Sequence, residues 1–342
     1  MTSPPRAVLS VVSLSLVAVA GLVALALPCR AGEYHLTVLH VSDLLSRLAP
    51  VTAAGATCTE AEAPRCYGGA ARLAARIRAE RAADGNVVVV NAGNALTGSA
   101  FYDQYKERAI SDTLNLIGFD AMTVGDRDFV DGTQMLAQFQ QTARFPLLGA
   151  NVDVQRDPYM RDRIYPFLAT VVGGEQIALL GYSSEQLIEQ ARPTGIVQIQ
   201  PIETALHRWM EQLHMMGINK VIAISHAGRE RDREVAERVD GLAVIVGDAP
   251  DPAGGLVARY LTVHKGPSGN PVLMVQSDAY GRSLGRLAVT FDGKGVPKSW
   301  RGDTVQITAA DGEDPAVKAE VAALAAPLAT GVLADRRVQP AR

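Results

Sequence analysis

Apolar positions along this chain switch between two periods. His35 to Val41 is a short apolar, β-branched run, as a strand requires, and Gly69 to Arg81 repeats Ala, Leu and Ile at helical spacing with arginines on the opposite face. Four consecutive valines, Val87 to Val90, suit a strand buried on both faces. A helix near Asp103 to Ile117, a strand near Ala121 to Val124, a helix over Gly132 to Gln141 and a strand near Pro146 to Asn151 continue the alternation. Strands and helices taken in turn predict a parallel sheet with crossover helices.

Two strand-like runs in succession, Phe167 to Val172 and Gln176 to Tyr182, break that rhythm. A further unit follows: helix Glu203 to Met216, strand Lys220 to Ser225, helix Arg229 to Val239, strand Ala243 to Val246. The last third reads as hairpins over Leu256 to His264, Pro271 to Gln276, Ser283 to Asp292 and Lys298 to Ile307, with Gly281 to Gly285 as a turn. Asp314 to Leu324 reads as a terminal helix and the remainder as a loose tail. With no repeat or linker in between, residues 32–310 are expected to form one domain, followed by a C-terminal helix and tail over 311–342.

Residues 1–31 read as a leader and not as part of the fold. Arg6 precedes an uncharged apolar run from Ala7 to Leu27, and Cys29-Arg30-Ala31 offers small residues at the positions a signal peptidase reads. Cleavage after Ala31 places the mature chain in the periplasm or an equivalent exported compartment; retention of the run as an anchor is the alternative. Cys58 and Cys66, eight apart in a polar loop, then read as a disulfide, with two free thiols as the alternative and a metal pair lacking partners. A net charge of -3 leaves no basic footprint, which excludes a nucleic-acid polymer as partner. No second apolar run approaches membrane-spanning length.

Chemistry concentrates at five places. Asp43, Asn94, Asp126, His226 and Asp248 each fall one to a few residues beyond a predicted strand, the edge where open α/β sheets place their ligands. Other candidates are weaker. His40 belongs to a strand pattern, His207 and His214 share a helix face without a third partner, and Arg229 to Arg238 reads as a solvated charged face.

The chain resembles the exported 5'-nucleotidase branch of the calcineurin-like metallophosphoesterases, from about His35 to Ile307. The likeness is carried by Leu39-His40-Val41-Ser42-Asp43, Gly68-Gly69 with Arg72, Asn91-Ala92-Gly93-Asn94, Gly118-Phe119-Asp120-Ala121 leading to Gly125, Ala150-Asn151-Val152, Ser225-His226-Ala227-Gly228 and Leu284-Gly285-Arg286. It implies an α/β fold, a four-layer α/β/β/α sandwich of two mixed sheets flanked by helices. Relatives that cleave nucleotides carry a further C-terminal nucleotide-binding domain, and none is expected within 311–342.

The same resemblance exposes departures. Where the family has Asp-x-His, this chain has Asp43 and Leu45; a metal-bridging Asp is here Asn94. Gly-Asn-His-Glu becomes Gly125-Asp126-Arg127-Asp128, and Gly-His-x-His becomes Gly247-Asp248-Ala249-Pro250. By family roles the first metal loses its ligands to Leu45 and Pro250. The second keeps Asn94, Asp126, His226 and Asp248, with Asp43 alongside, an oxygen-rich set that suits Mg²⁺, Mn²⁺ or Ca²⁺ better than Zn²⁺. No cofactor, or one divalent cation, is therefore expected.

Arg127 and Asp128 occupy the catalytic segment in degenerate form. Arg127 has no proton to give at neutral pH but matches a phosphate or sulfate oxygen, and Asp128 reads as its ion-pair partner or a loop anchor. The implied function is a catalytically degenerate exported protein that binds a phosphate- or sulfate-bearing small molecule, or an envelope protein partner, in the old cleft. The alternative is a residual mononuclear phosphoesterase acting on phosphomonoesters or nucleotides; a purely structural envelope subunit is a third possibility.

Overall fold

The computed structural model describes residues 32–59, 61–192, 194–249 and 259–329. The expected leader through Ala31, Pro250 and the tail beyond 329 lie outside the described residues. The strands are β1 (Tyr34–Val41), β2 (Val87–Asn91), β3 (Ala121–Thr123), β4 (Leu147–Leu148), β5 (Val152–Asp153), β6 (Ile164–Tyr165), β7 (Phe167–Val172) and β8 (Glu175–Ser183). They continue with β9 (Gln198–Ile199), β10 (Val221–His226), β11 (Leu242–Val246), β12 (Leu261–Lys265), β13 (Pro271–Val275), β14 (Ser283–Phe291) and β15 (Pro297–Gln306). The helices are α1 (Ala70–Ala83), α2 (Ala100–Ile117), α3 (Gly132–Thr142), α4 (Leu187–Ala191), α5 (Ile202–Met215), α6 (Arg229–Arg238) and α7 (Pro315–Ala329).

Two mixed sheets carry the architecture. The first runs β15-β14-β1-β2-β3-β4-β6, parallel from β1 to β6 and antiparallel at the β14 and β15 end. The second runs β12-β13-β11-β10-β8-β7, with a parallel centre and an antiparallel strand on each edge. The valine run of β2 explains the layering. Val87 and Val89 face helices α1 and α2, while Val88 and Val90 face the second sheet and meet Leu179, Ile222, Ile224 and Val244. A strand with apolar side chains on both faces has no solvent side, so each sheet is covered twice. The outer face of the second sheet packs Leu180, Tyr182, Ala223 and Ile245 against Ile202 and Leu206 of α5 and Val235 of α6. The result is helices, sheet, sheet, helices.

Some expectations shift. The run Pro146 to Asn151 forms only the two-residue β4 before the chain turns away. Gly281 to Gly285 is not a hairpin turn. Tyr280 and Gly281, both at φ 64°, carry the chain from β13 in the second sheet to β14 in the first, and Gly285 already lies within β14. The hairpins of the last third are β12–β13, in the second sheet, and β14–β15, in the first. Helix α7 starts at Pro315 and continues to Ala329; its Val317, Val321 and Leu324 join the core beneath α1 and α2.

Candidate active-site cleft

The parallel strands of both sheets end at one edge, and the loops beyond them bring the predicted residues together. Asp43 follows β1, Asn94 follows β2, Asp126 follows β3, His226 ends β10 and Asp248 follows β11. The loops after β1 and β2 are joined by backbone bonds: Asp43 N–H donates to Gly93 O at 3.0 Å, Leu45 to Asn94 O at 3.0 Å and Ser46 to Ala95 O at 2.8 Å. To reach these partners, Asp43, Leu45, Ser46 and Asn94 all adopt positive φ, between 45° and 56°. Non-glycine residues in that region cost energy and cluster where a protein fixes a functional geometry.

Asp128 sits behind the cleft and holds its frame. Its carboxylate, 2% exposed, accepts backbone N–H groups from Asn94 (2.9 Å), Ala95 (2.9 Å), Leu96 (3.1 Å) and Gly125 (2.9 Å). Of the two sequence readings, the loop anchor is what the geometry gives: the Arg127 guanidinium instead lies 3.6 Å from Asp126. Burial nonetheless pushes the Asp128 carboxyl up to about 6, against the pull of its N–H donors.

Asn94 occupies the centre of the cleft. Its Nδ2 donates to Asp43 Oδ1 at 3.0 Å and to Asp126 Oδ1 at 3.1 Å, while its Oδ1 accepts Arg127 N–H at 2.8 Å. The second oxygen of Asp43 accepts Ala249 N–H at 3.0 Å. Gly125 passes so close that a Cβ there would overlap Asn94 Oδ1 and the His226 ring, which accounts for a glycine at that turn. Leu45 turns away from these polar groups. It is 2% exposed and packs with Val51, Ala249, Ala279 and Tyr280.

From the second sheet, His226 Nδ1 lies 2.7 Å from Ala92 O and must carry a proton to bond it, which leaves Nε2 facing Asp126 Oδ1 at 3.6 Å. Burial disfavours the imidazolium, but Asp126, Asp43 and Asp248 outweigh it and hold His226 well above its ordinary value. The converse applies to Asp126: burial opposes ionisation, and the contacts with His226, Asn94 and Arg127 still bring its carboxyl below the usual range. Burial raises Asp43 to about 6 and also raises Asp248, with His226 opposing it in both cases. Asp248 Oδ1 accepts Gly228 N–H at 3.2 Å at the start of α6.

Two features of this region, Asp232 and Gln276, escape the sequence patterns. Asp232, in the stretch read as a solvated face, is 1% exposed and accepts Tyr182 OH at 2.7 Å and Ser225 Oγ. Gly247, where a Cβ would press on Asp232, is the one trace of it in the sequence. Gln276 ties Asp248 O to the Arg229 guanidinium, at 2.9 and 2.8 Å. Beneath the cleft, His40 stacks on Tyr260 in the interior, as its strand pattern predicts, and bonds its hydroxyl at 3.1 Å.

Cys58 and Cys66 form a disulfide. Their loop is tied to α1 by Arg72, which donates to Cys66 O and Ala63 O, and to the Leu45 cluster through Val51, which bridges to Thr57 and Tyr67. His207 and His214 bear on no part of the cleft; His207 reaches Arg238 O at 3.3 Å.

No protein-family model matches the chain. It is 31% identical over 303 residues to a snake venom 5'-nucleotidase of Naja atra, a match that covers 85% of this chain and 56% of that protein. Among solved structures it is similar to a 5'-nucleotidase precursor of Thermus thermophilus, with a TM-score of 0.77, 30% identity, and coverage of 87% of this chain and 59% of the other. A calcineurin-like phosphoesterase of Bacillus subtilis shares the fold at a TM-score of 0.67 and 20% identity, over 86% of this chain and 97% of its own. The chain spans about half the length of the curated relatives it matches. By sequence the chain is a relative of the 5'-nucleotidases over 85% of its length, and its fold is that of the calcineurin-like phosphoesterases.

Proposed function

We propose that this is an exported, catalytically degenerate relative of the 5'-nucleotidases, which binds a phosphate- or sulfate-bearing small molecule or an envelope protein partner in the former active-site cleft. The observation that carries this reading is Leu45. By the family resemblance its position belongs to a metal-ligating His; here a hydrocarbon side chain is sealed at 2% exposure among Val51, Ala249, Ala279 and Tyr280. Both oxygens of the neighbouring Asp43 are taken by N–H donors. The residues at that position do not fit a metal ion, so no hydrolytic step is derived through a two-metal centre.

The acid–base position supports the same reading. Arg127 stands where relatives keep a His, and a guanidinium does not release a proton at neutral pH. Groups in that role contribute roughly 10²–10⁴-fold to a rate. The Arg127 side chain, 28% exposed beside Asp126, is the cation through which the cleft would meet an oxyanion.

The runner-up is a mononuclear phosphoesterase at Asn94, Asp126, His226 and Asp248. It is favoured by the convergence of His226 Nε2 and Asp126 Oδ1 and opposed by the orientation of Asn94. Phosphate release from p-nitrophenyl phosphate and AMP, with Mn²⁺ or Mg²⁺ added, separates the two. We expect none above a no-protein blank. Turnover that disappears in Asp126→Ala or His226→Ala overturns the degenerate reading.

A further inference from the structure

We infer that the Asn94 carboxamide stands in for a cation: its NH₂ group bridges Asp43 and Asp126, so the cleft is complete without metal, and the single change Asn94→Asp converts it into a divalent-cation site. The inference rests on the degenerate reading above and deepens it.

The orientation of the amide is forced. A carboxamide has one accepting and one donating end, and Arg127 N–H, 2.8 Å from Oδ1, is a donor under all conditions. A flip would set NH₂ against that N–H and the amide oxygen against two carboxylates. With the observed orientation both hydrogens of Nδ2 are used, one on Asp43 Oδ1 and one on Asp126 Oδ1. An ion entering between these carboxylates meets an NH₂ group whose nitrogen offers no lone pair.

The amide cannot withdraw to admit one. Asn94 is in the left-handed region at φ 55°, and its backbone N–H is fixed on Asp128 at 2.9 Å. Its backbone carbonyl receives Leu45 N–H, and Gly125 closes against Oδ1. The remaining oxygen of Asp43 is bonded to Ala249 N–H, and one oxygen of Asp248 to Gly228 N–H. Among the described residues no group of three or more His, Cys, Asp or Glu side chains is arranged to hold a metal ion.

An aspartate at the same place inverts the balance. One of its oxygens keeps the Arg127 N–H, and the other faces Asp43 and Asp126 at hydrogen-bond distance with no proton between them. Three carboxylates then share one space, with His226 Nε2 3.6 Å from the Asp126 oxygen that Asn94 bonds and the Arg127 guanidinium 3.6 Å from the other. A divalent cation relieves that repulsion and finds oxygen donors where the wild-type protein offered N–H.

Thermal unfolding in EDTA and in Mn²⁺, with bound Mn²⁺ counted by electron paramagnetic resonance, tests this. The wild-type Tm should be the same in both, with no bound ion up to about 1 mM Mn²⁺. Asn94→Asp should lose about 5 °C or more in EDTA, the scale of an uncompensated buried charge, and should recover most of it with one Mn²⁺ per chain. The double variant Asp43→Asn with Asn94→Asp restores the original number of charges and should regain stability in EDTA. The inference is overturned by a wild-type protein that binds Mn²⁺, or by Asn94→Asp matching wild type in EDTA. Should Asn94→Asp fail to fold, a double variant that also fails overturns it, and one that folds without metal supports it. Wild-type Mn²⁺ binding without phosphate release would remove this inference and leave the degenerate reading standing; metal-free turnover would do the reverse.

Discussion

The loops of the first sheet and those of the second meet in one cleft, yet they are held by different means. On the first sheet, the segments carrying Asp43, Asn94 and Asp126 are locked through the backbone, by the zip between residues 43–46 and 93–95 and by four N–H groups converging on Asp128. On the second sheet, the side chains of His226 and Asp248 each bond one backbone group, Ala92 O and Gly228 N–H, and otherwise face other side chains. A frame fixed by backbone bonds keeps its shape whatever side chains it displays. On the degenerate reading proposed above, that is how the cleft would keep its outline with Leu45, Asn94 and Arg127 at positions where the family resemblance implies other groups.

The largest test of this contrast is Asp128→Ala. Removing a buried acceptor leaves four N–H groups unsatisfied, and about 3–5 kcal/mol of stability should go with it. Asp248→Ala removes one backbone bond from the second sheet and should cost only about 1 kcal/mol. Urea denaturation of both variants reads the difference directly. An equal loss in the two would mean that the first-sheet loops are not held by their backbone.

His40 probes the seam where the two regions share a core, since it lies in β1 and stacks on Tyr260, which leads into β12 of the second sheet. Burial drives its pKa down to about 3. A base whose folded value lies below its unfolded one binds more protons when unfolded, so its neutral form supports the fold above about pH 6.5 and that support is lost as pH falls towards 3. By pH 5 the deficit is about 2 kcal/mol. Asp128, raised to about 6, and Asp232, raised to about 7, act in the opposite sense, because their protonated forms belong to the folded state. The measurement is therefore the difference between wild type and His40→Gln across pH 5 to 7. The variant should lose less stability on acidification; parallel curves would show that His40 is not neutral in the fold.

Part of this is legible in the sequence. The run Val87 to Val90 marks a strand with two buried faces, and the positions of Asp43, Asn94, Asp126, His226 and Asp248 beyond strand ends mark the cleft edge. The second sheet is not visible from pattern, since an apolar strand face looks the same against a helix or another sheet; only the family resemblance implies it. Asp128 is ambiguous because its partners are backbone N–H groups, which leave no trace in residue identity. Asp232 escapes because alternating charges on α6 look alike from either face. Gly281 to Gly285 misleads because a hairpin turn and a crossover between sheets both demand positive φ.

The smallest expected effect on stability belongs to Arg127→Ala, and it sharpens the contrast from the other side. The residue contributes two separable things. Its backbone N–H fixes Asn94 Oδ1, and its guanidinium lies partly exposed 3.6 Å from Asp126. Alanine keeps the first and deletes the second. A solvent-facing pair at that distance is worth under about 1 kcal/mol, so the fold should barely register the change. The proposed oxyanion ligand, by contrast, would lose its cation. Sulfate stabilises most folded proteins through exclusion from their surface, so a rise in wild-type Tm alone says nothing. The informative quantity is the part of the sulfate response that Arg127→Ala lacks. A response identical in both proteins would detach Arg127 from anion binding while leaving the backbone frame as described, because no bond of that frame runs through the guanidinium.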